Sequence, residues 1–400
     1  MKNRTFIVNA KRTAIGKIGG FFSDVRVDDL LAHCLKTIKN ELNFDPLLID
    51  DVIVGCANQA GEDNRNLARM SLLLAEFPFE IPGTTLNRLC ASSLDAVIDA
   101  HARIQSGIAD CIVVGGAESM TRGPYVLSKA KSNFDREQKL YDTTFGWRFQ
   151  NPNMEKLFPL LSMGETAEEV AKIHNITREE QDQFALLSHQ KTIAAISRSD
   201  FKNEIIPFNL LKKKETLIID TDECPRLDTS IESLSKLKSV FKKDGTVTAG
   251  NSSPMNDGAA ALLIVSEKFL IEHKLTPMIE VTGAAVRGIH PSIMGLGSVT
   301  AIKTLLKKNN FKLQNFDAIE LNEAFAAQAL GCIKELEIDR DKVNLNGGAI
   351  AIGHPLGASG ARIVTTLAHQ MQKNKNLKET LASMCIGVGQ GIAVSFRNCN

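Results

Sequence analysis

The 400-residue sequence lacks several features that would mark particular classes of protein. Its 47 basic and 46 acidic residues nearly cancel, so it has no charge excess of the kind that binds nucleic acid or an anionic membrane. No apolar run reaches the roughly 18 residues of a membrane-spanning helix. The first residues, MKNRTFIVNAKRTAIG, also lack the apolar core of a signal peptide. We therefore expect neither a nucleic-acid partner nor a membrane partner.

The eight cysteines form no spacing pattern that would indicate disulfide bonds or a metal site. They include no C-x-x-C pair and no regular framework spacing, which favours free thiols in a reducing compartment over a disulfide scaffold or a metal site. The sequence ends in FRNCN, which is not a peroxisomal or ER-retention tail. We expect a cytoplasmic protein with no metal and no permanently bound cofactor.

What the sequence does contain is an alternation of apolar strands and amphipathic helices. The strand-like runs are DDVIVGCA, DCIVVGGAES, AALLIVS, FDAIELN and SMCIGVGQGIAVSF. Continuous apolar runs are typical of strands buried on both faces, so the pattern predicts a mainly parallel or mixed sheet covered by helices. Helical periodicity predicts helices over 92–105 and 360–373. The fold class is therefore α/β.

The middle of the chain differs from both ends. From about 121 to 244 charged segments such as KLKSVFKKDG interrupt the pattern, which indicates an insertion between two core halves. The halves themselves suggest a duplication, because Asp51 precedes Cys90 by 39 positions and Asp317 precedes His354 by 37. Each block runs strand, loop, reactive residue and helix. The weak identity between the blocks leaves chance similarity as the alternative.

Two reactive residues stand directly before predicted helices. Cys90 lies in NRLCASS, where backbone N–H groups and the helix dipole favour a thiolate; the alternative is a buried structural cysteine. His354 lies in NGGAIAIGHPLGASG, whose glycines let the backbone approach a partner closely. The alternative for His354 is an imidazole satisfied by its own loop.

Two further segments carry polar or reactive groups. Cys385 lies in SMCIGVGQG, and a strand rather than a helix follows these glycines, which argues against a dinucleotide fingerprint and predicts a hairpin. A structural role for Cys385 is the alternative. Asn322 opens NEAFAAQ at the end of a predicted strand, where it could orient water or an imidazole or simply begin a helix.

Together these segments resemble the signatures of the thiolase family, in particular its degradative acetyl-CoA acyltransferases. The motifs are NRLCASS, GGAESMTRGPYV, MGETAEEVA, TAGNSSPMNDGAAAL, NEAFAAQ, GGAIAIGHPLGASGAR and CIGVGQG. The resemblance implies a thiolase fold of two similar βαβαβαββ halves in a layered α-β-α-β-α arrangement. It also implies boundaries at 1–120 for the N-terminal half (completed by 245–270), 121–244 for an inserted CoA-binding loop domain, and 271–400 for the C-terminal half.

The resemblance also implies a reaction, in which CoA cleaves a 3-oxoacyl-CoA to acetyl-CoA and a shortened acyl-CoA. Cys90 would be the nucleophile, His354 its general base, and Cys385 the group that protonates the acetyl-CoA enolate. His354 and a water held by Asn322 would form one oxyanion site. The backbone N–H groups of Cys90 and Gly387 would form the other.

Further residues follow from the same resemblance. Ser253 matches a contact to the pantetheine of CoA, and Arg226 matches the region that meets the adenosine, although its neighbours depart from the family pattern. Met163 and Phe325 match residues that line the acyl site. CoA and 3-oxoacyl-CoA are thus expected as substrates, and a homodimer or homotetramer as the assembly.

The acyl group is indicated by two features. Ser162 stands where acetoacetyl-specific biosynthetic members usually carry His, and the segment LYDTTFGWRFQNP resembles thiolases that cleave 3-oxoadipyl-CoA. We interpret Arg148 in this segment as a structural anchor, with a substrate contact as the alternative. Medium-chain substrates, an acetoacetyl-CoA thiolase working in the condensing direction, a ketoacyl-synthase-type condensing enzyme and a non-catalytic lipid-binding protein are the other hypotheses.

Overall fold

The computed structural model describes residues 3–212 and 215–399. Within these residues the strands are β1 (Thr5–Arg12), β2 (Gly16–Lys17), β3 (Asp51–Gly55), β4 (Gly83–Leu86), β5 (Cys111–Ser119), β6 (Tyr125–Leu127), β7 (Leu140–Asp142), β8 (Phe208–Lys212), β9 (Glu215–Ile219), β10 (Asn256–Ser266), β11 (Ile279–Gly288), β12 (Ala318–Leu321), β13 (Glu379–Ile386) and β14 (Gln390–Asn398). The α-helices are α1 (Val27–Asn40), α2 (Leu67–Leu74), α3 (Ser92–Ser106), α4 (Pro152–Leu157), α5 (Met163–Ile173), α6 (Arg178–Ser197), α7 (Ile231–Ser235), α8 (Glu267–Glu272), α9 (Gly297–Asn309), α10 (Ala326–Leu336), α11 (Ala349–Ile352) and α12 (Ser359–Lys373).

Ten strands form one sheet in the order β12-β13-β14-β11-β1-β10-β5-β3-β4, with β2 added beside β10. The pairs β3–β4, β3–β5 and β12–β13 are parallel, and the other main pairs are antiparallel. The sheet is therefore mixed. The continuous apolar runs of β5 and β10 belong to an antiparallel pair that is buried on both faces, because helices cover both sides of it.

The two halves repeat the same plan. The first runs β1, α1, β3, α2, β4, α3, β5 and, after the insertion, β10; the second runs β11, α9, β12, α10, α12, β13 and β14. Their strand orders correspond, except that a parallel bridge between Ile319 and Val343 stands where the first half has β4. Short pairing of β1 with β11 joins the halves. This confirms the predicted pair of similar halves.

The apolar side chains show how the layers are stacked. Along β3, Val52 and Val54 pack with α1 and α2, whereas Ile53 packs toward α3 on the opposite face. In the second half, Ala382 of β13 faces the same central layer, which contains α3 and α12, and Leu381 faces α9 and α10. Successive side chains of each strand point to opposite faces of the sheet, so they pack against different helical layers. The result is the predicted α-β-α-β-α arrangement.

The insertion between β5 and β10 contains the hairpins β6–β7 and β8–β9 and the helices α4 to α7. A buried ion-pair cluster ties it to the first strand of the core. The Arg12 guanidinium donates to Glu204 at 2.6 Å and to both carboxylate oxygens of Asp222 at 2.7 and 2.9 Å. Among the described residues, no helix combines the length and the apolar character needed to cross a bilayer.

Candidate active site

Cys90 lies on a tight turn that leads into α3. The turn is the 3-10 helix Leu89–Ala91, and Leu89 has a positive φ of 47°, a conformation that non-glycine residues adopt only when their surroundings enforce it. Asn87 Oδ1 accepts from the Leu89 N–H at 2.9 Å, and Ser92 Oγ donates to the Leu89 carbonyl at 2.7 Å. These bonds hold the thiol at the edge of a cavity, where Cys90 is partly exposed.

Cys90 rests as a neutral thiol. Burial raises its pKa to about 11, and a backbone hydrogen bond from Gly387 only partly opposes this shift. Backbone N–H groups favour the thiolate, as predicted, but desolvation outweighs them and the net shift of the pKa is upward. Cys90 needs a base before it can act as a nucleophile.

His354 provides an unprotonated nitrogen of the required kind. Its Nδ1 lies 2.6 Å from Ser359 Oγ, and that hydroxyl donates its one proton to the Pro355 carbonyl at 3.0 Å. With the hydroxyl proton directed at the Pro355 carbonyl, the hydrogen-bond pattern assigns Nδ1–H as the donor to Ser359 and leaves Nε2 with its lone pair. Burial and the nearby Arg362 cation lower the pKa of His354 to about 3, so the imidazole is neutral. Asn256 fixes the backbone here, since its Oδ1 accepts from the His354 N–H at 2.8 Å.

Asn322 lies beside this free nitrogen, just beyond the end of β12. Its Nδ2 is 3.4 Å from His354 Nε2, and its backbone N–H donates to the Ser383 carbonyl at 3.0 Å. Its Oδ1 is buried and finds no hydrogen-bond partner among the residues that the structure describes. Unpaired buried amides are rare, so Asn322 has spare capacity for a polar atom of a substrate or water.

Cys385 is the penultimate residue of β13, immediately before a tight hairpin. Val388 and Gly389 both have positive φ, 64° and 84°, and a Cβ on Gly389 would lie 2.3 Å from the Ile289 carbonyl oxygen. Burial raises the pKa of the Cys385 thiol well above its usual range, and the proximity of Cys90 adds to the shift. The Cys385 thiol thus lies near the Cys90 thiol. The antiparallel pairing of β13 with β14 confirms the predicted hairpin in place of a nucleotide-binding loop.

A cavity of about 270 Å³ opens at Cys90. Its walls include residues 57–58 and 143–148 as well as Asn87, Leu89, Cys90, Ser162, Met163, Leu356, Gly387 and Val388. Met163, which was predicted to line the acyl site, therefore lines the cavity at Cys90. Phe325 packs behind it in the apolar cluster that contains Cys385, with its ring edge-on to Phe241 at 6.1 Å.

A second cavity of about 380 Å³ contains the predicted CoA-contacting region. Arg226 and His189 line it, and the Arg226 N–H donates to His189 Nδ1 at 3.2 Å. Ser253 lies between two lining residues, Ser252 and Pro254, and both its N–H and its Oγ donate to the Ala324 carbonyl at 3.0 and 3.1 Å. Ser253 therefore connects this cavity with the loop of Asn322.

Sequence reasoning missed the residues that hold the site in place. Asn256 and Ser359 orient His354, and Glu118 accepts from the N–H groups of residues 57, 58 and 357 at 2.8 to 3.0 Å. Glu118 was detectable as a lone carboxylate near the end of an apolar strand. Ser359 was detectable as a polar residue opening a buried helix, one turn after His354.

Comparisons with known proteins agree with this geometry. Residues 5–268 match the family model "Thiolase, N-terminal domain" and residues 275–398 match "Thiolase, C-terminal domain". The Beta-ketoadipyl-CoA thiolase of Acinetobacter baylyi is 51% identical over 97% of this chain and 98% of that protein. The 3-oxoadipyl-CoA/3-oxo-5,6-dehydrosuberyl-CoA thiolase of Escherichia coli is 49% identical over 97% and 98%.

Solved structures agree as well. Human mitochondrial 3-ketoacyl-CoA thiolase in complex with CoA superposes with a TM-score of 0.91 at 39% identity, covering 100% of this chain and 98% of the human one. Both family domains match in order, and the similarity in sequence and in structure extends over nearly the whole chain. This chain therefore belongs to the thiolase family.

Proposed function

We propose that this thiolase cleaves 3-oxoadipyl-CoA with CoA to give succinyl-CoA and acetyl-CoA. The chemistry is supported by three observations: Cys90 lines the cavity, Cys385 is close enough for Cys90 to raise its pKa, and the neutral His354 lies two residues before Leu356, which lines the same cavity. The names of the relatives at about half identity support the choice of substrate. The steps below assign each of these residues its role.

In the first step, Cys90 Sγ attacks the 3-oxo carbon while its proton passes to His354 Nε2. Two oxygens become negative in turn, that of the 3-oxo group and that of the enolate. We assign one to the backbone N–H groups of Cys90 and Gly387 and the other to His354 and a water held by Asn322. The C2–C3 bond then breaks, and its electron pair leaves as the enolate of acetyl-CoA. Cys385 gives this enolate a proton, so acetyl-CoA departs and Cys90 carries the succinyl group as a thioester.

In the second step, CoA restores the enzyme. Its thiol gives a proton to the Cys385 thiolate and its sulfur attacks the succinyl thioester. As the C–S bond to Cys90 breaks, His354 returns its proton to the Cys90 sulfur. Succinyl-CoA leaves, and all three residues regain their starting protonation. The pKa values favour this neutral resting state, because burial penalises every charged form at the site.

CoA itself is assigned to the inserted segment 121–244 and to the loop of Ser253. The support is the second cavity, whose wall contains Arg226 and Lys17 together with Glu223 and Asp228. Since Lys17 pairs with Glu223 at 3.5 Å, Arg226 is the candidate contact for a phosphate group. Ser253 stands between that cavity and the Asn322 loop, on the path that a pantetheine arm would need.

The alternative of a biosynthetic acetoacetyl-CoA thiolase is disfavoured because Ser162 occupies the position where such members usually carry His. Ser162 is instead the N-cap of α5: its N–H donates to Glu165 Oε2 at 2.7 Å, and its Oγ accepts from the Glu165 N–H at 3.4 Å. A ketoacyl-synthase-type enzyme is disfavoured by the second thiol, Cys385, and a non-catalytic lipid carrier by the complete set of reactive groups.

The test is to incubate the enzyme with 3-oxoadipyl-CoA in the absence of free CoA and to digest it for mass spectrometry. We expect a succinyl group on the peptide of Cys90 and none in the Cys90→Ala variant. Steady-state cleavage should then show a higher kcat/KM for 3-oxoadipyl-CoA than for acetoacetyl-CoA. An adduct found on another cysteine would refute the mechanism, and a preference for acetoacetyl-CoA would refute the substrate.

A further inference from the structure

The cavity beside Cys90 contains one charged side chain among its described lining residues, that of Arg148. No described carboxylate lies within ion-pair distance of this guanidinium. Its single hydrogen bond runs from Nη1 to the Thr143 carbonyl at 3.3 Å. Since a guanidinium has five N–H groups, four remain available. A half-buried arginine without an anion is unusual, because buried charges are normally paired.

A structural role does not account for Arg148. The neighbouring Trp147 anchors the segment, since its Nε1 donates to the Leu161 carbonyl at 2.9 Å. Thr143 anchors the other end, with its Oγ1 donating to the Pro124 carbonyl at 2.7 Å and accepting from Asn58 Nδ2 at 3.0 Å. The anchoring that we expected of Arg148 therefore belongs to Trp147 and Thr143, and the long bond from Arg148 adds little to it.

The two amide side chains that line the cavity, those of Asn58 and Asn87, already form hydrogen bonds within the protein. Asn87 Oδ1 accepts from the Leu89 N–H, and Asn87 Nδ2 donates to the Ala57 carbonyl at 2.9 Å. Asn58 donates to Thr143 and accepts from the Ala60 N–H. Much of the remaining wall is apolar: Leu89, Phe145, Met163, Leu356 and Val388. A negative charge that enters this cavity thus meets apolar walls and one cation.

We propose that Arg148 binds the terminal carboxylate of a dicarboxylic 3-oxoacyl-CoA and thereby selects such substrates over uncharged ones of equal length. This inference rests on the proposed function, because it concerns the acyl group that Cys90 receives. A carboxylate that is buried without a partner is costly, and the planar fork of arginine matches a carboxylate with two parallel hydrogen bonds.

The experiment compares two substrates of equal chain length, 3-oxoadipyl-CoA and 3-oxohexanoyl-CoA, which differ in the terminal carboxylate. Arg148→Ala should lower kcat/KM for the dicarboxylic substrate by roughly 10–150-fold, the usual effect of losing a charge-assisted hydrogen bond. It should leave kcat/KM for 3-oxohexanoyl-CoA nearly unchanged. Arg148→Gln should behave like the alanine variant, whereas Arg148→Lys should retain part of the preference, because lysine keeps the charge without the fork.

Arg136→Ala is the matched control, because Arg136 is an exposed arginine of the same insertion and does not line the cavity. It should leave both substrates unaffected, and thermal unfolding should confirm that all variants are folded. Equal losses on both substrates in Arg148→Ala would overturn the inference and leave the proposed function intact. Wild-type enzyme that cleaves 3-oxohexanoyl-CoA but not 3-oxoadipyl-CoA would overturn the proposed substrate, and the inference with it.

Discussion

At the scale of single residues, Cys90 is a neutral thiol and His354 is a neutral imidazole. Burial holds the pKa of Cys90 at about 11 and that of His354 at about 3, so an ion pair between them is disfavoured before substrate arrives. In the proposed mechanism, the proton therefore moves from Cys90 to His354 during the attack, when negative charge forms on the substrate oxygen. A general base in this position is typically worth about 10²–10⁴-fold in rate.

His354→Asn should therefore lower kcat by a factor in that range while the fold is retained, because Asn can occupy the site but cannot accept the proton. Alkylation of Cys90 by iodoacetamide near neutral pH should slow in parallel, since the thiol loses its base. Peptide mass spectrometry after timed alkylation measures this. Undiminished alkylation of Cys90 in the variant would show that another group deprotonates it.

The depressed pKa of His354 also predicts a pH dependence of stability. An unfolded His titrates near about 6.5, whereas the folded residue titrates at about 3. Between these values the unfolded chain binds a proton that the folded chain does not, so the free energy of unfolding falls as the pH falls. The contribution is about 1.36 kcal/mol per pH unit.

His354→Asn should remove this contribution. Urea unfolding at about pH 7 and about pH 5 should therefore show a smaller loss of stability in the variant than in the wild type. The comparison must be made between the two proteins, because burial also raises the pKa of Glu118 to about 7, and that residue changes stability in the opposite sense. Identical losses would mean that His354 titrates normally in the folded protein.

The motifs predict Cys90, His354, Cys385 and Asn322 as the reactive residues, and their catalytic roles stay predictions. The structure places Asn322 beside His354 and Cys385 near Cys90. Their protonation could not be predicted. The tautomer of His354 depends on one 2.6 Å contact with Ser359, and the thiol pKa depends on burial by both halves of the protein. Neither is a property of local sequence.

At the scale of elements, α3 and α12 approach so closely that glycine is required where they meet. A Cβ on Gly360 would lie 2.2 Å from the Leu94 backbone nitrogen. Ser93 Oγ accepts from the Ala361 N–H at 2.8 Å across the same contact. Since Cys90 precedes one helix and His354 the other, this contact sets the distance between them. The glycines after His354 thus serve helix packing, rather than phosphate binding.

Gly360→Ala should consequently destabilise the protein by about 1–3 kcal/mol, because the obstacle is backbone and cannot rotate away. It should also lower kcat, since the two helix starts are forced apart. Thermal unfolding and steady-state cleavage are the measurements. Gly288→Ala is the control, because a Cβ there would meet nothing nearer than 3.8 Å. Equal stability of the two variants would contradict the tight contact.

Hydrophobic periodicity predicted the helices well, since the observed Ser92–Ser106 and Ser359–Lys373 differ from the predicted ranges by one residue at one end. Strand direction was harder to predict. The runs of β5 and β10 resemble parallel strands because both faces are buried, yet the pair is antiparallel. The inner face of β5 and β10 is covered in part by α12, a helix of the other half. This packing partner cannot be predicted from the sequence of the strands alone.

At the scale of the whole molecule, the hairpin β6–β7 projects apolar side chains into solvent. Leu127 and Leu140 are cross-strand partners and are 63% and 65% exposed, and the nearby Phe134 is 91% exposed. Apolar groups clustered in this way mark a contact surface. The assembly itself, a homodimer or a homotetramer, stays a prediction.

We predict a homotetramer that dissociates into dimers when Leu127 and Leu140 are both replaced by Asp. The charges would be buried at the contact between dimers, where they are unpaired, whereas the core halves keep the dimer together. Light scattering at micromolar concentration gives the masses, and circular dichroism checks the fold. A monomeric wild-type protein, or an unchanged mass in the double variant, would refute this assembly.

The equivalence of α3 and α12 has a consequence for how the site is assembled. These helices occupy the same place in their respective halves, yet one follows a cysteine and the other a histidine. A chain with a single half would have needed a second copy of itself to surround any site at that junction. In this chain the two halves meet through α3 and α12, so one polypeptide brings together the two helix starts that a single half would have to obtain from a partner subunit.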